Sequence, residues 1–426
     1  MTAPEPASTS AAPIDDDGGA RYWRRNLFVA LFGVFANIFA LSLVIPFLPI
    51  YVEELGITGH ANISQWSGIA YGVTYFAAAI VSPLWGRLAD RTGRKLTLVR
   101  SSFGITFVMI LLALVQNVWQ LVAMRFVAGI LGGYAAAANI LVATQAPRSK
   151  SGWALGTLAS GIMAGGLVGP LVGGAIQPII GIRGSFFVAS AMIFIAFLLT
   201  VTLIKEEKRS PVQRAANAPR ESAWAMIPDK TVIWAMLFTA FLLMVANMSI
   251  EPILTLYVGQ LVDNPDRVSL ISGVVLSASA LGSVLAASRV GKLGDRIGAR
   301  TVVMGGLAIG SLLLIPQAFV TNEWQLIGLR FLMGVALAGL LPSITSVIRL
   351  NVPNAIVGLM LGYATSAQFA GQVAGPLVGG FVGGHLGMEW VFLGTSVLMM
   401  FGALVNWRTR NLVRPARPIE GRVTAD

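Results

Sequence analysis

Twelve apolar stretches, most of them about twenty residues long, run along this 426-residue chain, and they restrict its folds more than any other feature. They lie near 26–52, 65–85, 96–116, 119–142, 153–176, 184–204, 231–258, 268–289, 301–320, 324–348, 355–383 and 388–407. About twenty apolar residues in a helix cross the hydrocarbon core of a bilayer. In lipid the backbone must satisfy its own hydrogen bonds, so helices or closed barrels are the only options. The stretches are too long for barrel strands and lack their alternation. The sequence predicts an all-α integral membrane protein.

Composition agrees. Only 12% of the residues are charged and 55% are hydrophobic, against roughly 25% charged in soluble domains. With no cysteine, thiolate metal sites and disulfides are excluded. The two histidines, His60 and His385, fall in predicted loops, so no metal centre and no cofactor is expected. A net charge of +11 raises nucleic acid as a partner, but the basic residues sit between apolar spans, where they set topology. Walker loops, Gly-x-Ser-x-Gly and His-Glu-x-x-His are lacking, so no enzyme activity is expected.

Topology follows from the cations. With the N-terminus in the cytoplasm, 26 of the 30 Lys and Arg fall in inner loops or tails. Arg183 and Arg267 fall outside, and Arg125 and Arg330 fall inside helices. Both termini are therefore expected in the cytoplasm. Residues 1–24 carry no signal-peptide pattern and are expected to be a disordered tail. Residues 205–230 are expected to be a polar linker between six-helix bundles at 25–204 and 231–407, with a second tail at 408–426.

The bundles repeat each other. Gly86-Arg-Leu-Ala-Asp90-Arg91-Thr-Gly93-Arg94-Lys95 returns as Gly291-Lys-Leu-Gly-Asp295-Arg296-Ile-Gly298-Ala299-Arg300, 205 positions later. Trp119-Gln120-Leu121 with Arg125 and Gly129 returns as Trp324-Gln325-Leu326 with Arg330 and Gly334. Gly169-Pro170-Leu-Val-Gly173-Gly174 returns as Gly375-Pro376-Leu-Val-Gly379-Gly380. An even number of spans per copy makes the repeats parallel, with a substrate site between them near the midplane.

These motifs resemble the major facilitator superfamily over nearly the whole chain. The 86–95 loop resembles that family's signature between helices 2 and 3. Gly165-Gly166-Leu-Val-Gly169-Pro170 resembles its antiporter motif, and Pro46-Phe-Leu-Pro49 its drug:proton antiporter branch. Pro147–Leu158 and Gly291–Gly298 resemble MdtG-type bacterial efflux transporters. The resemblance implies a monomeric secondary transporter of the bacterial inner membrane, exchanging small amphipathic compounds for protons. A lipid or metabolite exporter of the same fold is the nearer alternative, and a non-transporting receptor the remote one.

The residues carry separate expectations. Gly86, Asp90, Arg91, Gly93 and Arg94, with Asp295 and Arg296 in the second copy, form the loop that the resemblance makes a conformational latch favouring the outward-open state. Gly86 would let a neighbouring backbone approach. Gly165, Gly169 and Gly173, with Gly375 in the second copy, form small-residue stripes for close packing, and Pro170 and Pro376 interrupt a backbone bond. Arg125 is an intramembrane cation, functional by default; the resemblance links it to proton coupling. Its repeat partner Arg330 and its place near a membrane face leave snorkelling as the alternative. Glu251, before Pro252 at a predicted bend, is the one acid well inside a helix and a proton-site candidate. Asn37, Tyr134, Asn139, Asn247, Tyr257, Tyr363, Gln368 and Gln372 are the candidate cavity lining, apolar and aromatic with a few amides.

Overall fold

The computed structural model describes residues 21–147, 149–206, 224, 226–227, 229–353 and 356–410, with only the backbone at Asp90, Arg91 and Arg410. The predicted tails and the middle of the linker therefore lie largely outside the described residues. Ten helical stretches are long and apolar enough to cross a membrane. One of them, Ser151–Leu203, is two helices joined at Gly181, whose φ of 74° and ψ of 172° are non-helical. Val357–His385 adds one more, so the spans number twelve. They are α1 (Trp23–Glu54), α2 (His60–Thr92), α3 (Arg94–Leu114), α4 (Val118–Gln145), α5 (151–180), α6 (182–203), α7 (Lys230–Leu261), α8 (Pro265–Ile297), α9 (Ala299–Gln317), α10 (Glu323–Leu350), α11 (Val357–His385) and α12 (Met388–Arg410).

Local chemistry sets the ends twice over. The Asn117 side chain accepts the Gln120 N–H at 3.0 Å at the start of α4, and Asn322 accepts the Gln325 N–H at 3.0 Å at the start of α10. Each satisfies an orphan donor of a first turn. Gly93 (φ 94°) and Gly298 (φ 89°) turn the α2–α3 and α8–α9 corners, a backbone region that glycine enters without steric penalty.

Four spans are broken mid-membrane. α1 passes through a 3-10 turn at Ile45–Phe47, and α7 breaks at Ser249–Ile250 so that Glu251 opens its second segment. α4 breaks at Gly132–Gly133 and α10 at Ala338–Gly339, with left-handed Gly133 and Gly339. Sequence reading anticipated only the α7 bend. Pro170, expected to interrupt a backbone bond, lies inside α5, which runs on to Gly181.

Glycine stripes hold each half together. A Cβ at Gly165 would sit 2.8 Å from the Phe35 carbonyl oxygen of α1, and Gly161, Gly169 and Gly173 face α1 the same way. Gly371, Gly375 and Gly379 of α11 meet α7 likewise. Close backbone approach replaces a hydrophobic driving force that lipid does not supply.

The halves meet along α2–α11 and α5–α8. Ser64 Oγ donates to the Gly380 carbonyl at 3.0 Å, Ser277 Oγ to Leu167 at 2.7 Å, and Thr255 Oγ1 to Pro46 at 2.9 Å. These contacts occupy the end where α2 begins and α11 finishes. At the other end, which carries Gly93 and Gly298, a Cβ at Gly86, Gly152, Gly156, Gly291, Gly358 or Gly362 would meet nothing within 4 Å. The molecule is sealed at one end and parted at the other, the basic end.

Candidate functional site

α4, α7 and α10 bring three charges together between the halves. Arg125 and Arg330 are both buried, at 5% and 8% exposure. That excludes snorkelling to a membrane face, because each side chain is enclosed by protein. Arg125 lies over the Tyr71 ring with 5.6 Å to the centroid, and Arg330 over Phe392 at 5.9 Å. Glu251 is the acid of the cluster, and its electrostatic partners are Arg330 first and Arg125 second. Tyr71 and Tyr75 of α2 feel the same carboxyl. Tyr71 is fixed by donating its hydroxyl to the Ile45 carbonyl at 3.0 Å.

The hydrogen bonding of this cluster is incomplete. Nε and Nη2 of both arginines and Oε2 of Glu251 are buried with no hydrogen-bond partner. A buried charge without full pairing is costly, and in a membrane such groups mark ion and substrate pathways. Two cations facing one acid form an arrangement whose balance depends on whether that acid carries a proton. Sequence reading ranked Arg330 below Arg125 and did not pick out Tyr71 and Tyr75 as partners. The signal for Arg330 was its 205-residue register with Arg125.

A cavity of about 750 Å³ runs towards the basic end. Its wall is mainly C-half: Met244 and Asn247 of α7, Ser279 and Ser283 of α8, and Asp295 where α8 ends, with Met163 of α5 from the other half. Methionine is flexible and polarisable and fits irregular apolar guests. Small-molecule sites characteristically combine such apolar walls with a few polar groups.

Several expected lining residues sit elsewhere. Tyr134 is 2% exposed, packs against Gly33 of α1 and pairs its hydroxyl with Thr200 Oγ1 at 2.9 Å. Tyr257 is buried and donates to the Gln317 carbonyl at 2.8 Å, tying α7 to α9. Both are core residues, because their hydroxyls find internal acceptors. Asn37 is buried and returns its amide to Gly33 at 2.9 Å. Asn247 bonds the Leu243 carbonyl at 3.1 Å yet stays on the cavity wall. Gln372 points its amide at Met244 Sδ, 3.6 Å away. Gln368 and Asn139 are half-buried. Tyr363 lies apart, stacked on Trp224 of the linker with 5.8 Å between centroids, and Trp224 stacks on Trp234 at 5.1 Å.

The signature loop also departs from expectation. α2 has 33 residues and so a length of about 50 Å, well beyond the ~30 Å hydrocarbon core. Gly86 lies inside the last two turns of α2, with no backbone against it. The side chains of Asp90 and Arg91 lie outside the described residues. Asp295 faces the cavity, and Arg296 is exposed. Glu206, just after α6, accepts the backbone N–H of Arg94 and of Lys95, each at 2.8 Å. This is a carboxylate cap supplied from a distant segment, which no local sequence pattern announces. Arg100 of α3 stacks on Trp85 and donates to the Gly132 carbonyl at 3.0 Å where α4 breaks.

A fold of two repeated bundles, joined at one end around a central charge cluster, defines a membrane transporter of the alternating-access type. The chain belongs to the major facilitator superfamily, whose family model matches residues 30–266 and 264–424. It is 42% identical over 416 residues to multidrug resistance protein MdtG of Enterobacter lignolyticus (strain SCF1), covering 97% of this chain and 98% of that one. It is 42% identical to MdtG of Serratia proteamaculans (strain 568), covering 90% and 93%. Among solved structures it resembles a bacterial homolog of the human lysosomal transporter Spinster, inward-facing and unoccupied. The TM-score is 0.73 and the identity 14%, over 92% of this chain and 97% of that one.

Proposed function

We propose that this protein exports amphipathic organic compounds across a bacterial inner membrane in exchange for protons. The observation that carries the proposal is the buried carboxyl of Glu251, with Arg330 and Arg125 as its electrostatic partners, on the same helix as Asn247 of the mainly apolar cavity that runs to one end. In this scheme protonation of Glu251 releases its hold on the two arginines, and substrate binding competes with the proton. The bundles at 25–204 and 231–407 rock about the central site as a monomer, with both termini cytoplasmic. The basic end is then the cytoplasmic one, by the bias of Lys and Arg to inner loops, and the conformation described is inward-open. The 86–95 loop acts as a latch in the opposite, outward-open state, which accounts for the free Gly86 here. The similarity to MdtG proteins supports drugs as the substrate class, and the methionine-bearing cavity suits them.

The test is transport in proteoliposomes with an imposed pH gradient, over a panel of lipophilic cations, neutral amphiphiles and sugars. Uptake of amphiphiles driven by the gradient, and its loss in Glu251→Gln with binding retained, is the expected result. Undiminished gradient-driven transport in that variant would refute the role given to Glu251. Sugar transport would refute the substrate class.

A further inference from the structure

The junction between the first turn of α1 and the exit of α6 gathers positive charge around one ring. Arg21 lies 5.5 Å from the Tyr22 centroid, Arg25 4.8 Å and Lys205 5.0 Å. The neighbouring Arg24 lies over Trp23 at 5.4 Å. Every pair among the three groups on Tyr22 is thus within about 10.5 Å, so three like charges share one small patch.

The cluster is built rather than incidental. Asn26, 1% exposed, donates its amide to the Lys205 carbonyl at 2.6 Å and to Gln145 Oε1 at 2.7 Å, and accepts the Lys205 N–H at 3.1 Å. Trp23 and Ile204 are buried on either side. These contacts fix the backbone that presents Lys205 opposite α1. Arg25 keeps Nε and Nη2 buried without an acceptor. Glu206, the nearest acid in sequence, is engaged by the first turn of α3. Arg21 and Lys205 are exposed at the start of α1 and the end of α6.

We propose that this junction is a binding site for a phosphate-bearing anion, supplied by the headgroup of an anionic phospholipid in the adjoining leaflet. Basic pockets between transmembrane helices suit such headgroups. Tyr22 forms the floor, and Arg25 and Lys205 supply the paired charges. A lipid bound there bridges α1 and α6. The leaflet is the cytoplasmic one if the orientation proposed above holds, but the site itself does not depend on transport direction.

The test is native mass spectrometry of the full-length protein, titrated with dioleoyl phosphatidylglycerol, dioleoyl phosphatidylcholine or inorganic phosphate. The first phosphatidylglycerol should bind about tenfold tighter than phosphatidylcholine. The double variant Arg25→Gln/Lys205→Gln should erase that preference. Lys205→Arg should keep it, and so should Lys292→Gln, an exposed lysine at the same end but outside the cluster. Inorganic phosphate bound as tightly as phosphatidylglycerol, and lost in the same double variant, would support the anion site and assign its ligand to solution. A preference intact in the double variant, or lost equally in Lys292→Gln, would overturn the proposal. Should the double variant not fold, Arg21→Gln alone must weaken the preference for the proposal to stand.

Discussion

Gly68 and Gly273, one in each half, lie against the proline carbonyls of the opposite half. A Cβ at Gly68 would fall on the Pro376 carbonyl oxygen, and one at Gly273 on that of Pro170. The two glycines thus form one seal used twice, with α2 against α11 and α8 against α5. Because the obstructing atoms are backbone, the seal cannot relax by rotating a side chain. Gly68→Val should therefore part the sealed end. A cysteine replacing Ser64, which now bonds Gly380, should become reactive to a membrane-impermeant maleimide added from that side. Transport should fall at least about tenfold, with an overpacking cost of about 1–3 kcal/mol if the seal is forced shut.

The three central charges should behave as a unit. Arg330→Gln leaves Glu251 with one cation, and Glu251→Gln leaves two arginines without an acid. The first removes the main electrostatic partner of Glu251, and the second leaves the buried positive charge uncompensated, which is destabilising. The combination Glu251→Gln/Arg330→Gln removes one charge of each sign and should cost less than the sum of its parts. The interaction energy should be about 0.5–3 kcal/mol. Thermal unfolding of the four proteins in detergent measures it. Strict additivity would show that Glu251 and Arg330 do not interact.

The apolar spans, the two halves and the order of the helices were legible in the sequence because lipid leaves few alternatives to a helix. The repeat register was equally plain, since it rests on identity and needs no geometry. The helix breaks at Gly133 and Gly339 were not legible, because glycine is frequent in all these helices and its presence alone does not mark a left-handed residue. The aromatic candidates divided for a physical reason. Tyr134 and Tyr257 have carbonyl or hydroxyl partners inside their own half, and only three-dimensional proximity reveals them. Glu206 and Lys205, about 110 and 180 positions from their partners on α3 and α1, were legible only as part of a charged linker.

The left-handed glycines offer a graded experiment. At Gly133 (φ 106°) a Cβ would project into open space, with only Arg100 Nη2 at 4.0 Å, whereas at Gly339 (φ 79°) Val290 Cγ1 would lie 2.9 Å away. Alanine in left-handed backbone costs about 1–2 kcal/mol. Gly133→Ala should lose about that much, and Gly339→Ala should lose more because it adds a clash. Gly181→Ala tests strain alone, since nothing lies within 4 Å. Its extended positive-φ conformation belongs almost wholly to glycine and costs about 1–3 kcal/mol otherwise. Thermal midpoints of the three variants should rank accordingly, with Gly339→Ala below Gly133→Ala.

Glu206 joins the end of α6 to the start of α3, and its two bonds to Arg94 and Lys95 are those of a helix cap delivered across the fold. Lys95 Nζ completes the junction by donating to the Val201 carbonyl at 2.8 Å. A carboxylate at a helix N-terminus gains from both hydrogen bonding and the helix dipole. Glu206→Ala should therefore destabilise the protein by about 0.5–2 kcal/mol, and Glu206→Gln by less, since an amide oxygen still accepts one bond. Hydrogen exchange should accordingly show the first turn of α3 losing protection in Glu206→Ala. Protection of α3 unchanged by that substitution would mean that the cap is not what holds the turn.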